Sequence, residues 1–280
     1  MRRNNEERLM TGQHKPNHTE EVPRMANPMD FVTPTDLVEL PSKGRYPEGH
    51  PLHGETHIEI KHMTAKDEDI LTNRGLLKEG LAIDRLIQNV IKDNSIDGRY
   101  LYAGDRNAIM IRARASAYGN DYKTKAQCPA CGNTQGLKID LAEQNLYDGE
   151  GWRDTDIQML ENKTFQVTLP VSTIVVNFKP LNGFDELSLI KRKSKKDDPM
   201  DNILTKQMKL FVISLNGYDD EQTVNYVCDN MVASDAKFLR QAFRLVSPEV
   251  KVEKDFKCKE CGHEEVVAVP FGTDFFWPDR

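Results

Sequence analysis

Cys128-Pro-Ala-Cys131-Gly132 and Cys258-Lys-Glu-Cys261-Gly262 are the two stretches on which the fold of this chain turns. In each, two thiols separated by two residues can grip one metal ion from a tight turn. The glycine that follows lets the backbone close around the sulfurs. Two such turns complete a tetrahedral site of four thiolates. One Cys-x-x-Cys alone is weak evidence, because redox motifs share it. Two of them, each flanked by strand-like segments, are written as a zinc ribbon is written. The flanks are Tyr122-Lys-Thr-Lys and Leu137-Lys-Ile-Asp for the first, Val250-Lys-Val-Glu and Val266-Val-Ala-Val for the second.

The turns are 126 residues apart, Gly132 through Lys257, far beyond ordinary ribbon spacing. The expectation is a split ribbon in which one structural Zn2+ per chain, held by Cys128, Cys131, Cys258 and Cys261, clips the middle of the chain to its C-terminal end. Structural zinc contributes about 10–16 kcal/mol of apparent folding free energy in small peptides. A catalytic zinc needs an open position, which four thiolates do not leave. His263, two residues after Cys261, is a competing ligand. Cys228 falls in a helical stretch, Val224–Val232, and reads as a small buried residue.

Outward from the knuckles, the chain of 280 residues divides into five segments. Residues 1–35 are charged and proline-rich and read as a flexible N-terminal arm. Residues 36–122 read as a strand-plus-helix core. Leu37–Leu40 and His57–His62 are extended, with turn chemistry at Pro41–Pro47 between them. Thr64 is the expected cap of a helix with Asp67, Glu68 and Asp69 in its early turns. One helix is expected over 76–91, on the stripe Leu77, Leu81, Leu86, Ile87, Val90, Ile91. Another is expected over 105–118, capped by Asp105 and stopped by Gly119, with a strand as the alternative from Ile109 onward. Residues 123–142 are the first half of the ribbon. Residues 143–249 hold a strand pair, Phe165–Leu169 and Thr173–Phe178, then helices over about 185–195, 201–215 and 235–245. Residues 250–280 are the second half of the ribbon and an aromatic tail, Phe275-Phe-Trp-Pro278. The fold class expected is α+β: a helical body with small antiparallel sheets.

Composition excludes several functions. The formal charge is −6, so no basic surface seeking phosphate dominates. No apolar run reaches the length of a transmembrane helix, and no secretory signal follows Met1-Arg-Arg-Asn-Asn. His50, His53, His57 and His62 cluster in sequence, but His57 and His62 would point to opposite faces of a strand. Lys191-Arg-Lys-Ser-Lys-Lys196 is the only basic run and is followed at once by Asp197 and Asp198. No phosphate loop, dinucleotide fingerprint, nucleophile elbow or metalloprotease motif is present. No enzyme is expected.

Several segments together resemble a known family. They are Val38-Glu-Leu-Pro-Ser-Lys-Gly-Arg-Tyr-Pro47 with His50-Pro-Leu52, then Ile58-Glu-Ile-Lys-His-Met-Thr-Ala-Lys-Asp-Glu-Asp-Ile-Leu71. Asp84-Arg-Leu86, Gly104-Asp-Arg-Asn-Ala-Ile109 and Cys128-Pro-Ala-Cys-Gly132 complete the set. This combination resembles the baseplate protein family of T4-like phages, over the N-terminal half and at the C-terminal cysteine turn. The resemblance implies a late, non-enzymatic protein of the contractile tail, either a baseplate hub subunit or a factor that assembles the hub. It implies no catalytic residues. The implied partners are other tail and hub proteins, with no membrane. The implied location is the virion baseplate, or the host cytoplasm during assembly. The sequence sets no oligomeric state. The alternative is a zinc-ribbon nucleic-acid-binding module, which predicts affinity falling with salt. The negative charge and the mixed charges around both knuckles weigh against it.

Overall fold

The computed structural model describes residues 33–193, 203–268 and 275–276, all but Thr33 within the unit Pro34–Arg280. The expected arm lies almost wholly outside them, as do Lys195 and Lys196 of the basic run and Trp277 and Pro278 of the tail.

Strand β1 (Thr35–Glu39) pairs antiparallel with β2 (His57–Lys61), Val38 lying opposite Ile58. Ile58 and Ile60 are buried, as alternation demands. Helix α1 (Ala65–Thr72) starts at Thr64, whose N–H and hydroxyl both donate to the Asp67 carboxylate (2.7 and 2.8 Å). The acidic first turn is thus capping chemistry.

The stretch expected as one helix over 76–91 is two, α2 (Arg74–Glu79) and α3 (Ala82–Val90). Asn73 caps α2 by accepting from the Gly75 and Leu76 amides (2.9 and 3.1 Å). Gly80, at φ 71°, ends it in the left-handed conformation that glycine adopts at no steric cost. The apolar spacing runs on across the break, which is why periodicity alone hides it.

Helix α4 (Ala103–Tyr118) is helical throughout, so the strand alternative fails, and Gly119 terminates it. Its cap is not Asp105. That residue lies in the first turn, fully buried, accepting from the Ser42 amide (2.9 Å) and the Tyr46 hydroxyl (2.5 Å). Burial pushes its carboxyl above the usual range, against the pull of those two donors. The Tyr46 oxygen in turn accepts from the Tyr102 amide (3.1 Å), and the Tyr102 hydroxyl donates to the Arg45 carbonyl (3.1 Å). The Pro41–Pro47 turn and the Gly104–Ile109 segment are therefore joined through one buried polar network.

Hairpin β3 (Asp121–Gln127) and β4 (Thr134–Asp140) carries the first knuckle at its tip. After β5 (Asn145–Tyr147), strands β6 (Gln158–Met159), β7 (Phe165–Thr168) and β8 (Val175–Phe178) follow, then α5 (Gly183–Lys193) and α6 (Ile203–Phe211). The helix expected over 201–215 stops at Phe211. Val212–Leu215 is strand β9, which pairs with β8 and completes a four-stranded antiparallel sheet in the order β6-β7-β8-β9. Pairing with β8 overrides the helical continuation there. Helices α7 (Glu221–Asn230) and α8 (Ala233–Val246) come next. Asp235 in the first turn of α8 accepts from the Val171 and Ser172 amides (2.9 Å each), tying the helix to the β7–β8 turn. Strand β10 (Glu249–Lys251) pairs with β5, and β11 (Glu253–Lys257) with β12 (Glu264–Ala268) forms the second knuckle hairpin. The class is α+β with small antiparallel sheets.

Two main cores result. One gathers β1, β2, α3 and α4 with Tyr122, Ile139, Val250, Val252, Phe275 and Phe276. The other gathers β7–β9 with α6, α7 and α8, and includes Cys228. Phe275 and Phe276 of the aromatic tail are thus core residues: Phe275 is 1% exposed, and its carbonyl accepts from Arg114 Nε (3.0 Å). At the first core α4 meets β10 with no room for a side chain. A Cβ on Gly104 would lie 2.2 Å from the Pro248 carbonyl oxygen and 2.9 Å from the Glu249 nitrogen. Gly104→Ala is expected to cost about 3 kcal/mol through the backbone shift it forces. The measurement is the denaturant midpoint, which should fall with the slope unchanged.

Candidate metal centre

Each knuckle is built by the same two backbone bonds. In the first, the Gly132 amide donates to the Cys128 carbonyl (2.8 Å) and the Cys128 amide to Asn133 (2.8 Å). In the second, Gly262 donates to Cys258 (3.0 Å) and Cys258 to His263 (2.8 Å). Gly132 and Gly262 sit at φ 75° and 74°, the left-handed region that favours glycine. The hairpins match position for position: Ala126 with Phe256, Cys128 with Cys258, Leu137 with Val267. These residues pack into one small core between them.

The two tips bring the four sulfurs together, all within 4.8 Å of one another. Cys128 Sγ lies 3.6 Å from Cys261 Sγ, and Cys131 Sγ 3.6 Å from Cys258 Sγ. A disulfide needs about 2.05 Å, so these are free thiols. Four ligands at about 2.3 Å in a tetrahedron stand about 3.8 Å apart. The cross-hairpin pairs therefore already have metal-site spacing. Cys128 and Cys258 are buried, while Cys131 and Cys261 face solvent.

The thiols compete for charge. Amides of Cys261 and Glu260 donate to Cys258 and pull its thiol down to about 6. At Cys131 the Asn133 amide also lowers the thiol, but the sulfurs of Cys261, Cys258 and Cys128 outweigh it and push it up to about 12. Four adjacent sulfurs cannot all ionise alone; a bound cation is what would let them. The cluster can hold a metal ion.

The other candidates separate. His263 serves the centre through its backbone, its carbonyl accepting from the Cys258 amide and its amide donating to Cys261, while its ring lies 3.9 Å from Glu265. His50 stacks on Tyr46 at 4.1 Å, His53 Nδ1 lies 2.6 Å from the Tyr46 carbonyl, and His62 Nε2 lies 3.1 Å from Asp36. Among the described residues the four cysteines are the one cluster of metal-ligating type. Burial pushes the Cys228 thiol up to about 11, as suits a core residue. One contributor escaped sequence reasoning. Gln135 on β4 donates through Nε2 to the Lys257 carbonyl (2.8 Å) and accepts through Oε1 from the Lys259 amide (2.9 Å). Nothing in a glutamine's type marks it as part of a metal centre.

A model of the family described as T4 bacteriophage base plate protein matches residues 34–277. Comparison with curated proteins and with solved structures gives no match. The matched span takes in nearly all of the C-terminal half, where the residues by themselves resembled the family only at the cysteine turn.

Proposed function

The chain belongs to the family of T4 bacteriophage base plate proteins, and from that premise we propose that it is a non-enzymatic subunit or assembly factor of the baseplate's central hub. The family match over residues 34–277 is the observation that carries this. The protein acts through contacts with other baseplate proteins on a scaffold stiffened by metal. Its place is the tail of the virion, or the host cytoplasm while the hub is built. No helix among the described residues is long and apolar enough to cross a membrane.

The metal is one structural Zn2+ per chain, on Cys128, Cys131, Cys258 and Cys261. An all-thiolate tetrahedral donor set suits zinc, and it leaves no position for water or substrate. In this reading the chain divides as the sequence suggested. An arm (1–35) and a strand-plus-helix core (36–122) precede the first ribbon half (123–142), and an inserted strand-and-helix body (143–249) precedes the second half with its tail (250–280). The antiparallel pairing of β5 with β10 supports the insertion, since it joins the chain entering that body to the chain leaving it.

Quantitative mass spectrometry of purified mature particles beside the assembly lysate tests the function. A few copies per particle are expected for a permanent hub subunit. Abundance in hub precursors with absence from finished particles assigns the assembly-factor role. Absence from every tail-related fraction overturns both and moves the nucleic-acid module forward, to be judged by salt-dependent binding.

A further inference from the structure

We infer that Gln135 is the positioning residue of the metal centre, holding the second knuckle in ligating geometry across the hairpin interface. The inference rests on the metal reading above and concerns a side chain that touches no metal. The two bonds of Gln135 have a particular placement. The Lys257 carbonyl belongs to the peptide group before Cys258, and the Lys259 amide to the one after it. One primary amide thus grips both peptide planes that set the backbone torsions of Cys258, and so the direction of its Sγ. The donor and acceptor of Gln135 are both used, as they would be by a neighbouring strand.

The first knuckle cannot be held this way. The residue after Cys128 is Pro129, which has no N–H to give. The position matching Gln135 on the second hairpin is Glu265, paired in register with Phe256, and a carboxylate has no N–H to offer a carbonyl. The asymmetry is consistent on both sides. Where proline fixes φ covalently, no clamp stands opposite. Where lysine leaves the backbone free, a glutamine from the other hairpin restrains it. Partners beyond the ligands commonly alter metal affinity 10- to 100-fold.

The test uses the full-length chain and zinc itself, with affinity read by competition against a chromophoric chelator. Q135L and Q135E are expected to bind zinc roughly 10- to 100-fold more weakly than the native chain and to release it faster. Q135L loses both bonds; Q135E keeps the acceptor for Lys259 but sets an oxygen against the Lys257 carbonyl. Gln127, whose side chain donates only within its own knuckle, to the Gly132 carbonyl at 3.2 Å, supplies the control: Q127L should stay within about twofold. The melting midpoint in excess chelator should not differ between Q135L and the native chain, since the clamp orients a ligand and does not hold the body together. Lys259→Pro in the Q135L background should recover much of the affinity, by giving the second knuckle the stiffness of the first. Native-like zinc affinity in Q135L overturns the inference while leaving the zinc reading intact. A loss of stability in Q135L equal with and without zinc overturns it too, in favour of a plain strut. If Q135L does not fold, Q135E and its metal-free midpoint decide by the same criteria. A native chain that takes up no zinc sinks the metal reading, and this inference with it.

Discussion

The purified chain is expected to carry one zinc per polypeptide, and stripping it should lower the unfolding midpoint by on the order of 10–20 °C. The reason lies in what the two cysteine hairpins have besides a metal. Each half is a single two-stranded hairpin, and isolated hairpins are marginal in water. The core between them is small: Ala126, Cys128, Phe256 and Cys258, with Leu137 and Val267 partly covered. Alternate residues of β11 and β12 are exposed, including Val266 at 60%. Burial of that size cannot hold two hairpins whose sequences are joined through a long body. A metal bound to both closes that loop and contributes about 10–16 kcal/mol where folding depends on it wholly. Here β11 is also tethered through β10 to β5 and the paired hairpins can open locally, so only part of that appears in global unfolding. Some 5 kcal/mol would correspond to the stated shift at about 2–4 °C per kcal/mol for domains of this size class. Elemental analysis and melting curves with and without chelator make the measurement. Cys258→Ser should lose the metal, whereas Cys228→Ala, in the other core, should keep it. Zinc well below one per chain with a melt indifferent to chelator would sink the idea.

How much of this could be read from the residues follows from the physics of each signal. The cysteine cluster was legible because Cys-x-x-Cys-Gly carries its geometry in its spacing: a glycine at φ near 75° and two sulfurs on one turn. The capped start of α1 was legible because a Thr followed three residues later by an Asp is a local bond. The break at Gly80 was not, since the apolar stripe crosses it. Asp105 was misjudged for a related reason. An acidic residue after a glycine looks like a cap, and only the distant Ser42 and Tyr46 make it a buried acceptor. The strand β9 was hidden inside a helical pattern because its partner β8 lies far off in sequence. Gln135 was invisible for the strongest version of that reason. Its role exists only once a hairpin from the middle of the chain and one near its C-terminal end stand side by side.

Arg106 supplies the second large effect, and it shows the Gly104–Ile109 segment working through burial. Its guanidinium is 3% exposed. It donates to Asp84 of α3, to the Gly98 carbonyl (2.8 Å) and, through Nε, to Glu186 of α5 (2.9 Å). One cation on α4 thus ties α3 of the first core to α5. The chain passes close at Gly183, where a Cβ would meet the guanidinium at 2.5 Å. The second Asp84 oxygen has no partner, so the carboxylate depends on Arg106 for its compensation. Arg106→Met keeps the apolar stem, removes the charge and leaves that carboxylate buried alone. The expected cost is about 3–5 kcal/mol, the usual penalty for breaking a buried pair from one side. Asp84→Asn in the same chain should return a good part of it, because the stranded charge is then gone, and the double-mutant cycle should show coupling of about 1 kcal/mol or more. Additive single effects, or a loss below about 1 kcal/mol in Arg106→Met, would mean that water reaches this site and that the link between α3 and α5 is carried by packing alone.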